Sequence, residues 1–115
     1  MASKPSDFDR LLLGSIDEAL LSLGESARQS IYFHIEKNYC VNREAIPHYL
    51  EQFQTALEKI FGVGARFIEI LIMRNLYSKV GLHLSLDKNE QLEFVRYVEA
   101  ARKGFVKDYP LSNDC

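Results

Sequence analysis

The sequence predicts an all-α fold, a single-domain orthogonal or up-down bundle of about five helices around a central apolar helix at residues 65–80. Three observations lead there. The run FGVGARFIEILIMRNLYSKV, residues 61–80, opens with two glycines and then carries apolar residues almost all the way round a helix, a pattern that asks for neighbours on every side. Elsewhere, apolar residues recur at three- and four-residue intervals between glycine and proline breaks. Only LHLSL, residues 82–86, alternates as a strand would; with no obvious partner strand in the chain, it is expected to be an extended linker.

In the first helix Ser6 is the expected cap, with Asp7 and Asp9 set against the positive end of the helix dipole. Phe8, Leu12, Ile16, Ala19, Leu20 and Leu23 mark its apolar stripe, and Gly24 is the expected left-handed stop. A second helix runs from Glu25 or Ser26 to about Tyr39, with Ala27, Ile31, Ile35 and Tyr39 on one stripe. The short connection between the two implies an antiparallel hairpin. A helical turn after Asn42 leads to a third helix, for whose first turn Pro47 is suited, marked by Tyr49, Leu50, Phe53, Ala56, Leu57, Ile60 and Phe61 and ended by Gly62. The fourth begins near Gly64 or Ala65 and stops at Gly81. Asp87 with Glu90 reads as a variant capping box for a fifth helix reaching about Phe105, with Leu92, Val95, Val98 and Phe105 as its narrow apolar stripe. The whole chain, 1–115, reads as one domain with ends fraying at about 1–5 and 108–115.

A chain of 115 residues can bury roughly two-thirds of its unfolded surface, so neither a staple nor a metal is required. A net charge of -2 lacks the basic footprint of phosphate-backbone binding, which argues against nucleic acid as a direct partner. Cys40 and Cys115 have neither zinc spacing nor the look of a disulfide framework, and free thiols in a reducing cytoplasm are expected. MASKPSDFDR has no apolar core of signal-peptide length, and Glu69 and Arg74 interrupt the most apolar stretch, so a cytoplasmic protein without a membrane span is expected.

The glycines of FGVGA lack the Lys-Ser/Thr ending and preceding strand of a phosphate loop, and a tight turn between helices explains them. Glu69, between Ile68 and Ile70, is more telling, because a lone buried carboxylate raises its pKa or finds a cation. Arg66, Arg74 and Arg43 are the candidate partners in a structural ion pair. His34, His48 and His83 have no second ligand at metal spacing on the same helix face, and Cys40 has no His or Asn companion. No catalytic residue, metal site or cofactor site is expected, and the chain is not read as an enzyme.

The segments SLGES at 22–26, IYFHIE at 31–36, EAIP at 44–47 and the FGVGA turn with Ile68 and Glu69 after it carry a likeness. Through them, residues 11–81 resemble an archaeal output-type domain family named for nitrosopumilus. The resemblance implies an archaeal cytoplasmic protein, found alone or attached to sensory and regulatory modules. It implies no catalytic residue, and favours a signalling or interaction role over an enzymatic one.

The leading expectation is thus a helical interaction module that self-associates, a homodimer through isologous contact. Its two candidate surfaces are the exposed side of the last helix, with Arg96, Glu99, Arg102 and Lys103, and any apolar face left over from the first hairpin. The alternative is a small-molecule sensor with an interhelical pocket in which Glu69, Arg66 or His34 orients the ligand.

Overall fold

The computed structural model describes residues 6–86 and 93–108, with side chains of the last helix described through residue 105. It is all-α. Five α-helices follow one another among these residues: α1 (Asp7–Leu21), α2 (Glu25–Tyr39), α3 (Leu50–Phe61), α4 (Ala65–Val80) and α5 (Phe94–Asp108). Two 3-10 helices, Arg43–His48 and Gly62–Gly64, lie on either side of α3. Residues 82–86 run as irregular chain, with Leu82, Leu84 and Leu86 half-buried against the core and His83 and Ser85 exposed.

The helix ends follow local chemistry. Ser6 caps α1, its Oγ accepting a hydrogen bond from the Asp9 backbone N–H at 3.0 Å. Gly24 does not end that helix as expected. α1 stops at Leu21 with Ser22 in a right-handed conformation, and Gly24, at φ +111°, turns the chain into α2. The left-handed stop falls instead at Cys40, φ +57°, which closes α2. Pro47 is likewise not in the first turn of α3. Asn42 caps a separate 3-10 helix by accepting from the Ala45 N–H at 3.0 Å, Pro47 is buried inside that helix, and Tyr49, with φ -137°, separates it from α3. The expected cap of the last helix at Asp87 and Glu90 lies outside the described residues.

α4 packs against α1, α3 and α5, most extensively against α1, and is the central element. Its buried residues, Ala65, Ile68, Glu69, Ile72, Met73, Leu76 and Tyr77, form one stripe at helical period. The expected cover on every side is not met. α2 packs on α1 and α3 rather than closing round α4, so Phe67 stands 75% exposed and Ile70 and Leu71 are only half-buried. The core is one continuous cluster drawn from all five helices, with Phe8, Leu12 and Ile16 of α1, Ile31 and Ile35 of α2, Phe53 and Leu57 of α3, and Phe94 and Val98 of α5 among its members.

Polar bonds also tie the helices to one another. Asp17 of α1 accepts from Tyr32 Oη at 2.6 Å and from both Nε and Nη2 of Arg43, at 3.1 and 2.5 Å. Asp9, buried, accepts from Arg102 Nη1 at 3.0 Å, fastening α5 to α1. Gly104 lets the linker lie close: a Cβ there would stand 2.8 Å from Leu82 Cδ1.

Candidate functional site

The corner where α3 turns into α4 holds an open recess. Gln54 and Glu58, four residues apart, share a face of α3. Gly62 then reverses the chain at φ +59° and ψ -132°, a region that side-chain-bearing residues avoid, and donates its N–H to the Glu58 carbonyl. The following 3-10 turn starts α4 at Ala65, which places Arg66 and Glu69 in its first turn and a half. Gln54, Glu58, Gly62, Val63, Ala65, Arg66 and Glu69 line the resulting open cleft, of about 580 Å³. Val63 at 95% exposure and Phe67 at 75% stand at this corner as bare apolar side chains.

Glu69 dominates the electrostatics. It belongs to the buried stripe of α4, is only 3% exposed, and its Oε2 has no hydrogen-bond partner. Burial pushes its carboxyl up to about 7, and the Glu58 carboxylate pushes the same way, against smaller opposing effects of Arg66 and Gln54. The expected ion pair is not formed among the described residues: Arg43 is engaged by Asp17, Arg74 is exposed, and Arg66, though it shares the cleft, is exposed and makes no salt bridge with Glu69. The cause is geometric, because Glu69 lies in the buried stripe and Arg66, three residues earlier, lies outside it.

The other expected site residues are dispersed. His34 does not line this cleft; it sits on α2 with its ring 3.1 Å from Asn38 Nδ2. On α5, Arg96 and Lys103 are exposed, but Arg102 turns inward. Its guanidinium reaches Asp9, Glu99 at 3.2 Å and the Pro47 carbonyl at 3.3 Å, and lies 4.7 Å from the centroid of the Phe8 ring. Arg102 thus serves the interior, and Glu99 is half-buried beside it.

Sequence reasoning missed Gln54 and Glu58 as cleft residues and Asp17 and Asp9 as anchors. For the first pair a trace existed, two polar residues at helical spacing just before Gly62. For Asp17 the partners, Arg28, Tyr32 and Arg43, are 11, 15 and 26 residues away, separations at which no local pattern speaks. Beside the Asp9 anchor a shallower hollow of about 390 Å³ runs over Pro47, His48, Tyr49, Val95 and Glu99. Burial opposes the charge of Asp17, but hydrogen bonds from Arg43 and Tyr32 outweigh it and hold this carboxyl below the usual range.

Among the described residues, no group of three or more His, Cys, Asp or Glu side chains is arranged to hold a metal ion, and no helix is long and apolar enough to cross a membrane. By fold and surface the chain is an all-α bundle with a buried, unpartnered carboxylate beside an open cleft. Comparison with protein-family models, with curated proteins and with solved structures finds no match.

Proposed function

We propose that this chain is a small helical binding module of regulatory type, acting by recognition rather than by chemistry, whose α3–α4 cleft receives a small molecule. The observation that carries this reading is Glu69 Oε2, buried and without a partner in the wall of an open cleft. A buried charge without a partner is costly, and proteins keep such groups where a ligand completes them. The cleft volume of about 580 Å³ suits a small organic molecule. A regulatory, cytoplasmic setting belongs to the same proposal, as what a resemblance of residues 11–81 to archaeal output-type domains would imply. A fragment library followed by amide NMR tests the reading. Perturbations should gather at Gln54, Glu58, Gly62 and Arg66 and vanish in Gln54→Trp, which fills the recess. A diverse library that leaves those signals unmoved would overturn it.

The bare apolar pair Val63 and Phe67 favours a second reading, self-association through the same corner. Exposed Glu58 and Arg66 border the pair, so a two-fold arrangement can set each acid against the partner's base. Sedimentation should show a concentration-dependent dimer that Phe67→Ser abolishes; a wild-type monomer at several hundred micromolar would exclude it.

A further inference from the structure

We propose that the α3–α4 cleft is selective for organic ammonium groups, protonated alkyl or arylalkyl amines, which Glu69 and Glu58 recognise together. This rests on the cleft reading above and adds the chemical class of its ligand.

The charge balance of the lining decides the sign of the ligand. Two carboxylates, Glu69 and Glu58, face one guanidinium, Arg66, with Gln54 as a neutral donor and acceptor. An anion would meet two like charges for one favourable contact. A neutral donor could satisfy Glu69 Oε2, but a charged N–H makes a hydrogen bond roughly twice as strong and also relieves the repulsion from Glu58. A metal ion would need more ligands than two carboxylates supply. The remaining lining is apolar or backbone, Val63, Ala65 and Gly62, which suits the hydrocarbon body of an amine better than a polar head alone.

Access to the carboxylate is inexpensive in conformational terms. The last torsion of a glutamate is broad and nearly two-fold, so the two oxygens of Glu69 exchange places without leaving a rotamer well. Glu69 is itself among the lining residues, so a turn of that torsion presents one or the other of its equivalent oxygens at the cleft wall while the side chain keeps its place in the α4 stripe.

Binding of this kind is linked to protons. The groups acting on Glu69 are Glu58 and Gln54 from α3 and Arg66 from α4, and α1 and α5 add no charge to that set among the described residues. With its carboxyl at about 7, Glu69 is mostly protonated at pH 6 and mostly ionised at pH 8, whereas a simple alkylamine stays cationic across that range. The affinity for an ammonium should therefore rise about tenfold between the two pH values.

The test is an NMR titration of the whole chain with n-butylamine, 1,4-diaminobutane and 2-phenylethylamine, beside n-butanol and butyrate, at pH 6 and pH 8. The amines should move the amide signals of Gln54, Glu58, Gly62 and Arg66, bind about tenfold tighter at pH 8, and lose at least tenfold in affinity in Glu69→Gln. Glu58→Gln, a surface change, gives the same comparison if the first variant does not fold and should lower affinity severalfold. Amines that bind no better than butanol, or as well to Glu69→Gln as to wild type, would overturn the proposal. Butanol or butyrate bound in the cleft without the amines would overturn ammonium selectivity and leave the cleft reading standing. Silence from every probe, together with a silent fragment library, would remove both.

Discussion

Two carboxyls with opposite perturbations give the protein a distinctive acid response. Glu69 carries a folded pKa raised from 4.5 to about 7, so between those values the unfolded chain has released its proton while the folded chain retains it. Unfolding then releases a proton, and stability falls as pH rises through that window, by on the order of 3 kcal/mol in all. Asp17 works the other way: its folded pKa lies below 3.8, so the stabilisation from Arg43 and Tyr32 is present above that value and lost as pH falls through the folded pKa. Urea unfolding at a series of pH values should show Glu69→Gln flattening the decline between pH 4.5 and 7 and raising stability at pH 8 by about 2–3 kcal/mol. A variant that keeps the wild-type slope would mean that Glu69 is hydrated or paired in solution.

The elements differ in how much of their shape is written locally. The FGVGA turn contains two glycines with unequal tasks. Gly62 holds φ +59° with ψ -132°, whereas Gly64 has φ -69° and ψ -15°, which any residue adopts. A Cβ at Gly64 would meet only Phe61 Cβ, at an ordinary 3.7 Å. Gly62→Ala should therefore cost about 1–3 kcal/mol by backbone strain alone. Gly64→Ala should be neutral or stabilising by about 0.4–1 kcal/mol. Thermal denaturation of the two variants side by side checks the difference, and equal effects would contradict the turn geometry. The sequence reading treated both glycines as one tight turn, because spacing shows that a turn exists and cannot show which residue carries the positive φ. The same limit hid Cys40 as a left-handed helix end, since cysteine has no special liking for that conformation. Ser6, Asn42 and Gly81 were legible because their chemistry suits the ends at which they stand.

At the scale of the molecule, the all-α class and the central place of α4 were readable from periodicity and punctuation. Which faces stayed open was not. Apolar residues all round α4 suggested full enclosure, yet enclosure depends on where α2 packs, and nothing in residues 61–80 encodes that. Among the cleft residues, Glu69 and Arg66 stood out in the sequence because a charge inside an apolar run is conspicuous, while Gln54 and Glu58 on α3 looked like ordinary surface. Arg102 was read as part of the exposed side of the last helix, and its contacts show why that fails: the same side chain that pairs with Glu99 on its own helix also reaches Asp9, 93 residues away. Removing Arg102 should leave the buried Asp9 carboxylate without its guanidinium, with the His48 ring 3.5 Å away, and cost on the order of 2–3 kcal/mol. Arg102→Met combined with Asp9→Asn should recover part of that loss, and a double-mutant cycle measures the coupling. Strict additivity of the two changes would mean that the α1–α5 contact is held by apolar packing such as that of Phe8 on Phe105, and not by the ion pair.

The cleft lining spans residues 54–69, one short stretch of consecutive chain. Its walls can meet with little loop-closure entropy, so the hollow's outline is available early in folding, before distant segments arrive. The water-free setting of the α4 stripe is different, because it needs α1 from the start of the chain and α5 from its far side. The shape of this corner is thus assembled from near neighbours in sequence, whereas its acidity depends on segments from both ends of the chain.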